Sequence, residues 1–340
     1  MPMKKTVELT PDSRCNELTL TEVCEFLRNH DDYLILCHAT PDGDTLGSAF
    51  ALARGLKNAG KRCMIKCADE IPAKYSYFTS LFDNSEIDYK TVVAVDVADI
   101  VLLGSIAGDF VGKIDLCIDH HISNTRFADN LYLDSQAAAN CECIYDIFHC
   151  MPMPFDNICA SAIYTGLSTD TGSFKYSNVT AKTHRIAADL YAFDFSPSEV
   201  SRLMFDTKSR GRLELERMVL DSAQFYFDDK CMVLVATNEM KEKTGCNDND
   251  LEGVAVISRS VEGVLAGVSI KEKENGNYKI SLRTYPPLNA SEICKVLGGG
   301  GHKNAAGCSL SGNIEDVKKQ VLAVIGKALE ESNAGSSSHK

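Results

Sequence analysis

Six side chains of metal-binding type are spread along this chain: His38, Asp42, Asp44, Asp96, His120 and Asp170. Four carboxylates and two imidazoles are more than one ion needs, and they suit two divalent cations about 4 Å apart. The charges balance, because four carboxylates offset two dications and leave a site able to accept a phosphate anion. Without metal the same carboxylates would repel one another and some would retain protons. Mixed imidazole and carboxylate donors favour Mn2+, Fe2+ or Co2+, with Mn2+ preferred, over an all-oxygen Mg2+ or Ca2+ cage. A thiolate zinc site is disfavoured, since Cys37 alone adjoins the first group and should point to the opposite side of its strand.

Residues so distant meet only if the fold gathers their segments along one edge. Thr19-x-x-Glu22 is a capping-box pattern, and Leu20, Val23, Phe26 and Leu27 follow at helical spacing, which predicts a first helix. Residues 33–37 read as an apolar strand, 38–44 as a polar turn, and 47–59 as a small-residue helix stopped by Gly60. Further strands are expected over 62–66, 91–95 and 116–118, and helices capped by Ser135 and Asn157 over 135–148 and 157–167. This alternation predicts an α/β domain on a mostly parallel sheet. Its strand ends would carry His38, Asp96 and the Asp119-His120-His121 triplet along the edge where open sheets bind ligands. Asp170 would join them from the end of a helix.

Past residue 208 the pattern changes to a charge-rich helix with Leu215, Met218, Val219 and Ala223 on one face. Strands over 232–236, 264–270 and 278–284, the run Gly298-Gly299-Gly300-Gly301 and a helix near 314–329 predict a second, smaller α/β domain. The glycine run reads as a turn opening a helix, whose bare backbone N–H groups would cradle an anion. Arg283, on the strand ahead of it, is placed to fork onto a phosphate.

The composition narrows the partners. Lys+Arg 35 against Asp+Glu 47 gives a net charge of −12. Such an acidic chain lacks the basic footprint needed to grip a long duplex, yet a local metal-rich pocket can still take a short, highly charged ligand. Fourteen cysteines are present with no C-x-x-C pair, and they read as reduced, buried side chains. No apolar run approaches the roughly 18 residues of a membrane span, and residues 1–12 lack a signal-peptide core. A cytoplasmic protein with no membrane partner is the expectation.

Five ordered motifs resemble the DHH phosphoesterases: His38-Ala39-Thr40-Pro41-Asp42-Gly43-Asp44, Val95-Asp96, Asp119-His120-His121, Ser168-Thr169-Asp170-Thr171-Gly172, and a run from Gly298 to Gly307 like the signature of the accompanying DHHA1 domain. The resemblance implies a DHH catalytic domain over 15–207, a connecting helix over 208–225, a DHHA1 substrate-binding domain over 226–332 and a disordered tail over 333–340. The active site would lie in the interdomain cleft. His38, Asp42 and Asp96 would hold one metal; Asp44, Asp96, His120 and Asp170 would hold the other, with Asp96 bridging. His121 would face the scissile phosphate, Asp119 would orient an imidazole, and Arg283, Gly299, Gly300, Gly301 and His302 would bind substrate. The compact layout resembles NrnA-type members, which degrade short oligoribonucleotides and dephosphorylate pAp. Cyclic- or linear-dinucleotide phosphodiesterases and a non-catalytic nucleotide sensor are the alternatives, and the layout leaves room for a homodimer. Asn140-Cys141 stands where small or hydroxylated residues are expected, which would change the lining of a base pocket.

Overall fold

A computed structural model describes residues 15–251 and 257–337. Residues 1–12, read above for a targeting signal, and 338–340, the end of the expected tail, lie outside the described residues. The chain divides into two compact units, with the boundary between Thr207 and Lys208.

The first unit is built on a six-stranded parallel sheet in the order β1-β6-β5-β4-β2-β3. Its strands are β1 (Asn16–Glu17), β2 (Tyr33–Leu36), β3 (Cys63–Lys66), β4 (Thr91–Val95), β5 (Leu116–Asp119) and β6 (Asn130–Leu133). β2 and β4 are apolar on both faces. Tyr33, Ile35, Val93 and Val95 pack into one core, and Leu34, Leu36, Val92 and Ala94 into another. That continuous apolar run is what a doubly covered parallel strand requires. The helix Leu20–Asn29 opens on the expected capping box, with the Thr19 N–H donating to Glu22 Oε2 at 2.7 Å and the Glu22 N–H to Thr19 Oγ1 at 3.4 Å.

Two helices with small-residue faces pack directly on one another beside the sheet: Gly43–Asn58 and Asn157–Asp170. The first starts four residues earlier than its apolar pattern suggested, because the Asp42 carboxylate caps it, accepting from the N–H groups of Asp44 (2.9 Å) and Thr45 (3.1 Å). Close approach depends on missing side chains. A Cβ on Gly47 would lie 2.4 Å from the Ala162 carbonyl oxygen, and one on Gly166 would lie 2.2 Å from the Cys141 sulfur. The helix expected from Ser135 begins instead at Asn140 and runs to Cys150. Its N-cap residue, Ala139, has no side chain to offer, and the cap comes from elsewhere in the fold, as described below.

The second unit carries a mixed sheet in the order β11-β12-β10-β9-β8-β7. The strands are β7 (Gln224–Tyr226), β8 (Cys231–Ala236), β9 (Ala266–Glu272), β10 (Asn277–Thr284), β11 (Gly300–His302) and β12 (Ala305–Ser311), with β8 and β9 parallel and the others antiparallel. Helices Ala290–Val296 and Ile314–Ser337 supply Ile293, Cys294, Val317, Val321, Ile325 and Leu329 to one core. The helix Arg210–Asp221 packs Leu215 and Val219 against Met232, Leu234 and Ala236 in another core, so it belongs to this unit's packing rather than standing apart as a linker. Among the described residues no helix is long and apolar enough to cross a membrane.

Gly47→Ala forces a methyl onto a backbone carbonyl that cannot swing away. It should destabilise the protein by about 1–3 kcal/mol. Urea unfolding monitored by circular dichroism measures this, with Gly60→Ala, which meets no neighbouring atom but has φ 84°, as a control for backbone strain alone.

Candidate metal centre

β5, β4 and β2 are neighbours in the sheet and run in the same direction, so their carboxyl ends sit side by side. His38 lies two residues beyond β2, Asp96 immediately after β4, and Asp119-His120 at the end of β5. Asp96 therefore occupies the middle. Its backbone is left-handed (φ 58°), an unfavourable region for a residue other than glycine, and it is held there by an N–H bond to the Ile118 carbonyl at 3.0 Å.

The Asp96 carboxylate is buried and presents one oxygen to each side. Oδ2 lies 3.8 Å from His38 Nε2, while Oδ1 lies 3.5 Å from His120 Nε2 and 3.5 Å from His121 Nδ1. His38 Nε2 is also 3.6 Å from Asp42 Oδ1. His120 Nε2 faces two further carboxylates, Asp44 Oδ2 at 3.7 Å and Asp170 Oδ2 at 3.6 Å. The ring orientations are set from behind. His38 Nδ1 is bonded to the Ala39 carbonyl at 2.8 Å and His120 Nδ1 to the Ala137 carbonyl at 3.2 Å. A carbonyl only accepts, so both Nδ1 atoms carry a proton and both Nε2 atoms are aimed into the cluster.

The six residues singled out from the sequence thus come together as His38, Asp42 and Asp96 on one side and Asp44, His120 and Asp170 on the other. The donor set fits two divalent ions. Asp96 Oδ1 and His120 Nε2 are buried with no hydrogen-bond partner, an arrangement that costs free energy unless something else binds them. His121 is half exposed, and its Nδ1 donates to Asp119 Oδ1 at 2.9 Å. Asp119 is fully buried; it also accepts from the His120 N–H at 2.8 Å, and from Asn124 Nδ2 at 2.7 Å on its other oxygen. Asn124, three residues past the triplet, escaped the sequence reading because an asparagine in a polar loop carries no signal of its own.

Asp44 has a second task. Its Oδ2 accepts from the Asn140 N–H at 2.6 Å and its Oδ1 from the Cys141 N–H at 2.9 Å, so it caps the helix that Ala139 leaves open. Asn140 and Cys141 do not line an open base pocket. Both are fully buried, with Asn140 Nδ2 donating to Ser48 Oγ at 3.0 Å and the Cys141 sulfur lodged against Ser48.

In the second unit the glycine run does not open a helix. It follows the helix Ala290–Val296, where Gly298 (φ 77°) takes the left-handed position and the Gly299 N–H returns to the Cys294 carbonyl at 2.8 Å. The chain then enters β11. A Cβ on Gly299 would fall 2.2 Å from the Gly307 carbonyl oxygen, so the absent side chain permits a tight hairpin. No helix N-terminus supports an anion here. What the strands do provide is a shared face: His302 pairs with Ala305, Ala305 with Arg283, and Arg283 with Gly267. Register partners point the same way, so His302 and Arg283 rise on either side of a small alanine.

The DHH family N-terminal domain model matches residues 32–167, and the DHHA1 domain model matches residues 228–331. Over 307 residues, 87% of this chain and 89% of the other, the chain is 31% identical to the bifunctional oligoribonuclease and PAP phosphatase NrnA of Thermus thermophilus. The chain belongs to the DHH family. Its similarity to the probable bifunctional oligoribonuclease and PAP phosphatase NrnA of Streptococcus mutans is 26% over 305 residues, 87% of this chain and 95% of that one. Among solved structures, the exopolyphosphatase-related protein of Bacteroides fragilis shares the fold with a TM-score of 0.80 at 22% identity, over 92% of this chain and 95% of that one.

Electrostatics at this DHH site follow from crowding. Burial, then repulsion from Asp42, raises the Asp44 pKa to about 6. Burial, then Asp44, raises Asp170 to about 7, and Asp96 is pushed well above the usual carboxylate range by burial and by Asp44 and Asp42. Burial alone would lower the His38 pKa, but the Asp42 carboxylate outweighs it and raises it; His121 is raised chiefly by its bond to Asp119. All these groups bind protons more tightly in the fold than in the unfolded chain. Metal-free protein therefore loses stability as pH rises through roughly 4 to 8. Thermal melts after chelation should show a lower melting temperature at about pH 8 than at about pH 5.5, and Mn2+ should raise it more at the higher pH, where fewer protons compete for the ligands.

Proposed function

We propose that this chain is a two-metal phosphoesterase that hydrolyses short oligonucleotides to 5′-mononucleotides and removes the 3′-phosphate of pAp. The observation that carries the reading is Asp96, whose two oxygens face His38 on one side and His120 on the other within a group of four carboxylates. The names of the relatives from Thermus thermophilus and Streptococcus mutans support the substrate class.

In this reading His38, Asp42 and Asp96 hold one ion, and Asp44, Asp96, His120 and Asp170 hold the other. Mn2+ is the preferred ion, from the mixture of imidazole and carboxylate donors. Two such ions would supply Lewis acidity, lowering the pKa of water and offsetting charge on the phosphate. His121, half exposed and held by Asp119, donates to a phosphate oxygen as negative charge gathers there. Asp119 fixes that ring through Nδ1 and is itself held by Asn124, so the imidazole cannot rotate away. Arg283 and His302, on one face of the second sheet, take another phosphate of the substrate, and the exposed Gly300 and Gly301 let it approach the backbone. The protein works in the cytoplasm, where its fourteen unpaired cysteines stay reduced.

A panel of dinucleotide, pentanucleotide, pAp, cyclic dinucleotides and pyrophosphate, incubated with Mn2+ and analysed for products, tests the assignment. Mononucleotides from the linear oligomers and AMP from pAp are expected. Turnover confined to cyclic dinucleotides would replace the proposal with a signalling phosphodiesterase, and no turnover at all would favour a sensor. Asp96→Ala should abolish hydrolysis of every substrate in the panel. Arg283→Ala should remove a charge-assisted contact worth about 1.5–3 kcal/mol, raising KM for the nucleotide by one to two orders of magnitude while leaving Mn2+ binding unchanged.

A further inference from the structure

We infer that Asn178 is the brace that keeps Asp44, His120 and Asp170 in register as the ligand set of one ion, an inference that rests on the metal reading above. The side-chain nitrogen of Asn178 donates to two backbone carbonyls, Ala138 at 2.8 Å and Asp170 at 3.2 Å. An amide nitrogen has two hydrogens to give, so both bonds form together.

Each carbonyl belongs to a segment that carries part of the set. Ala138 lies between Ala137, whose carbonyl fixes the His120 ring, and the Asn140 and Cys141 N–H groups that grip the Asp44 carboxylate. Asp170 is the last residue of its helix, where carbonyls have no partner along the helix axis. One amide therefore joins the loop that orients two ligands to the helix end that supplies the third. Among the described residues these three ligands come from segments far apart in sequence, and sheet hydrogen bonds align only His120.

The chain goes to some trouble to deliver Asn178. Gly172, Ser173 and Phe174 are all left-handed (φ 57°, 60° and 61°), which reverses the backbone just after Asp170. The Thr171 carbonyl accepts from the N–H groups of Lys175 (2.9 Å) and Tyr176 (3.0 Å), closing the turn. The Tyr176 ring lies flush on Gly172, where a Cβ would come within 2.2 Å of it. Two residues after Asn178, Thr180 opens the next helix with its own capping bonds. Asn178 is thus held from both sides, yet it is exposed. Its bonds serve geometry more than core stability.

Isothermal titration of the chelator-stripped protein with MnCl2 tests this directly. Asn178→Ala should weaken one of two binding events about 10–100-fold, the range found when a partner that orients a metal ligand is removed. The other event should keep its affinity, whereas Asp42→Asn should weaken that one. Asn178→Asp sharpens the test, because its added negative charge alone would tighten cation binding while its loss of both donors loosens it; weaker binding is expected. The metal-free melting temperature of both variants should stay near that of the wild type, and kcat should recover at saturating Mn2+. An unchanged isotherm overturns the inference, as does equal loss of both events together with a lowered melting temperature, which would mark a general structural role. Absence of Mn2+ binding by the wild type would instead sink the metal reading itself.

Discussion

The structure depends on holding like charges together. Asp42, Asp44, Asp96 and Asp170 converge on two imidazoles at distances of 3.5 to 3.8 Å, partly out of reach of water. In the absence of cations such a cluster resists its own formation, and the upward shift of the Asp44, Asp96 and Asp170 carboxyl pKa values is the symptom. The surrounding architecture supplies what the cluster lacks. Parallel strand ends fix His38, Asp96 and His120 through the sheet's hydrogen bonds, and two glycine-faced helices press Asp44 and Asp170 against them.

The same residues serve fold and chemistry. Asp42 caps its own helix while facing His38, and Asp44 caps a different helix while facing His120. Burial penalises the Asp44 charge, and the two N–H groups of the Asn140–Cys150 helix offset part of that cost by pointing their dipoles at it. Removing such a carboxylate would therefore loosen a helix start as well as a ligand set. The left-handed backbone at Asp96 belongs to the same pattern, since strain is tolerated where packing leaves no alternative.

Much of this was legible beforehand. The apolar runs 33–37, 91–95 and 116–118 read as buried parallel strands, and the strands Tyr33–Leu36, Thr91–Val95 and Leu116–Asp119 lie within a residue of them. The polar residues just beyond them had to lie along one edge. Where the reading failed, it failed on partners distant in sequence. The helix at 140 could not be placed from its own residues, because its cap is Asp44, some ninety-six positions earlier. The glycine run suggested an anion cradle at a helix start, whereas its glycines end one helix and permit a hairpin with β12, a contact with residues not yet in the window.

By itself the sequence determined which side chains could bind metal, and that His38, Asp96 and His120 follow buried strands, because apolar periodicity is a property of local segments. Only the tertiary structure decided the distances at which the Asp96 oxygens face both imidazoles, and which neutral groups are bonded around the cluster: the Ala39 and Ala137 carbonyls, Asn124 and Asn178. Those groups act through direction and distance across chain-distant contacts. A carbonyl oxygen has no letter of its own in a sequence, and an asparagine becomes informative only when its partners are in place.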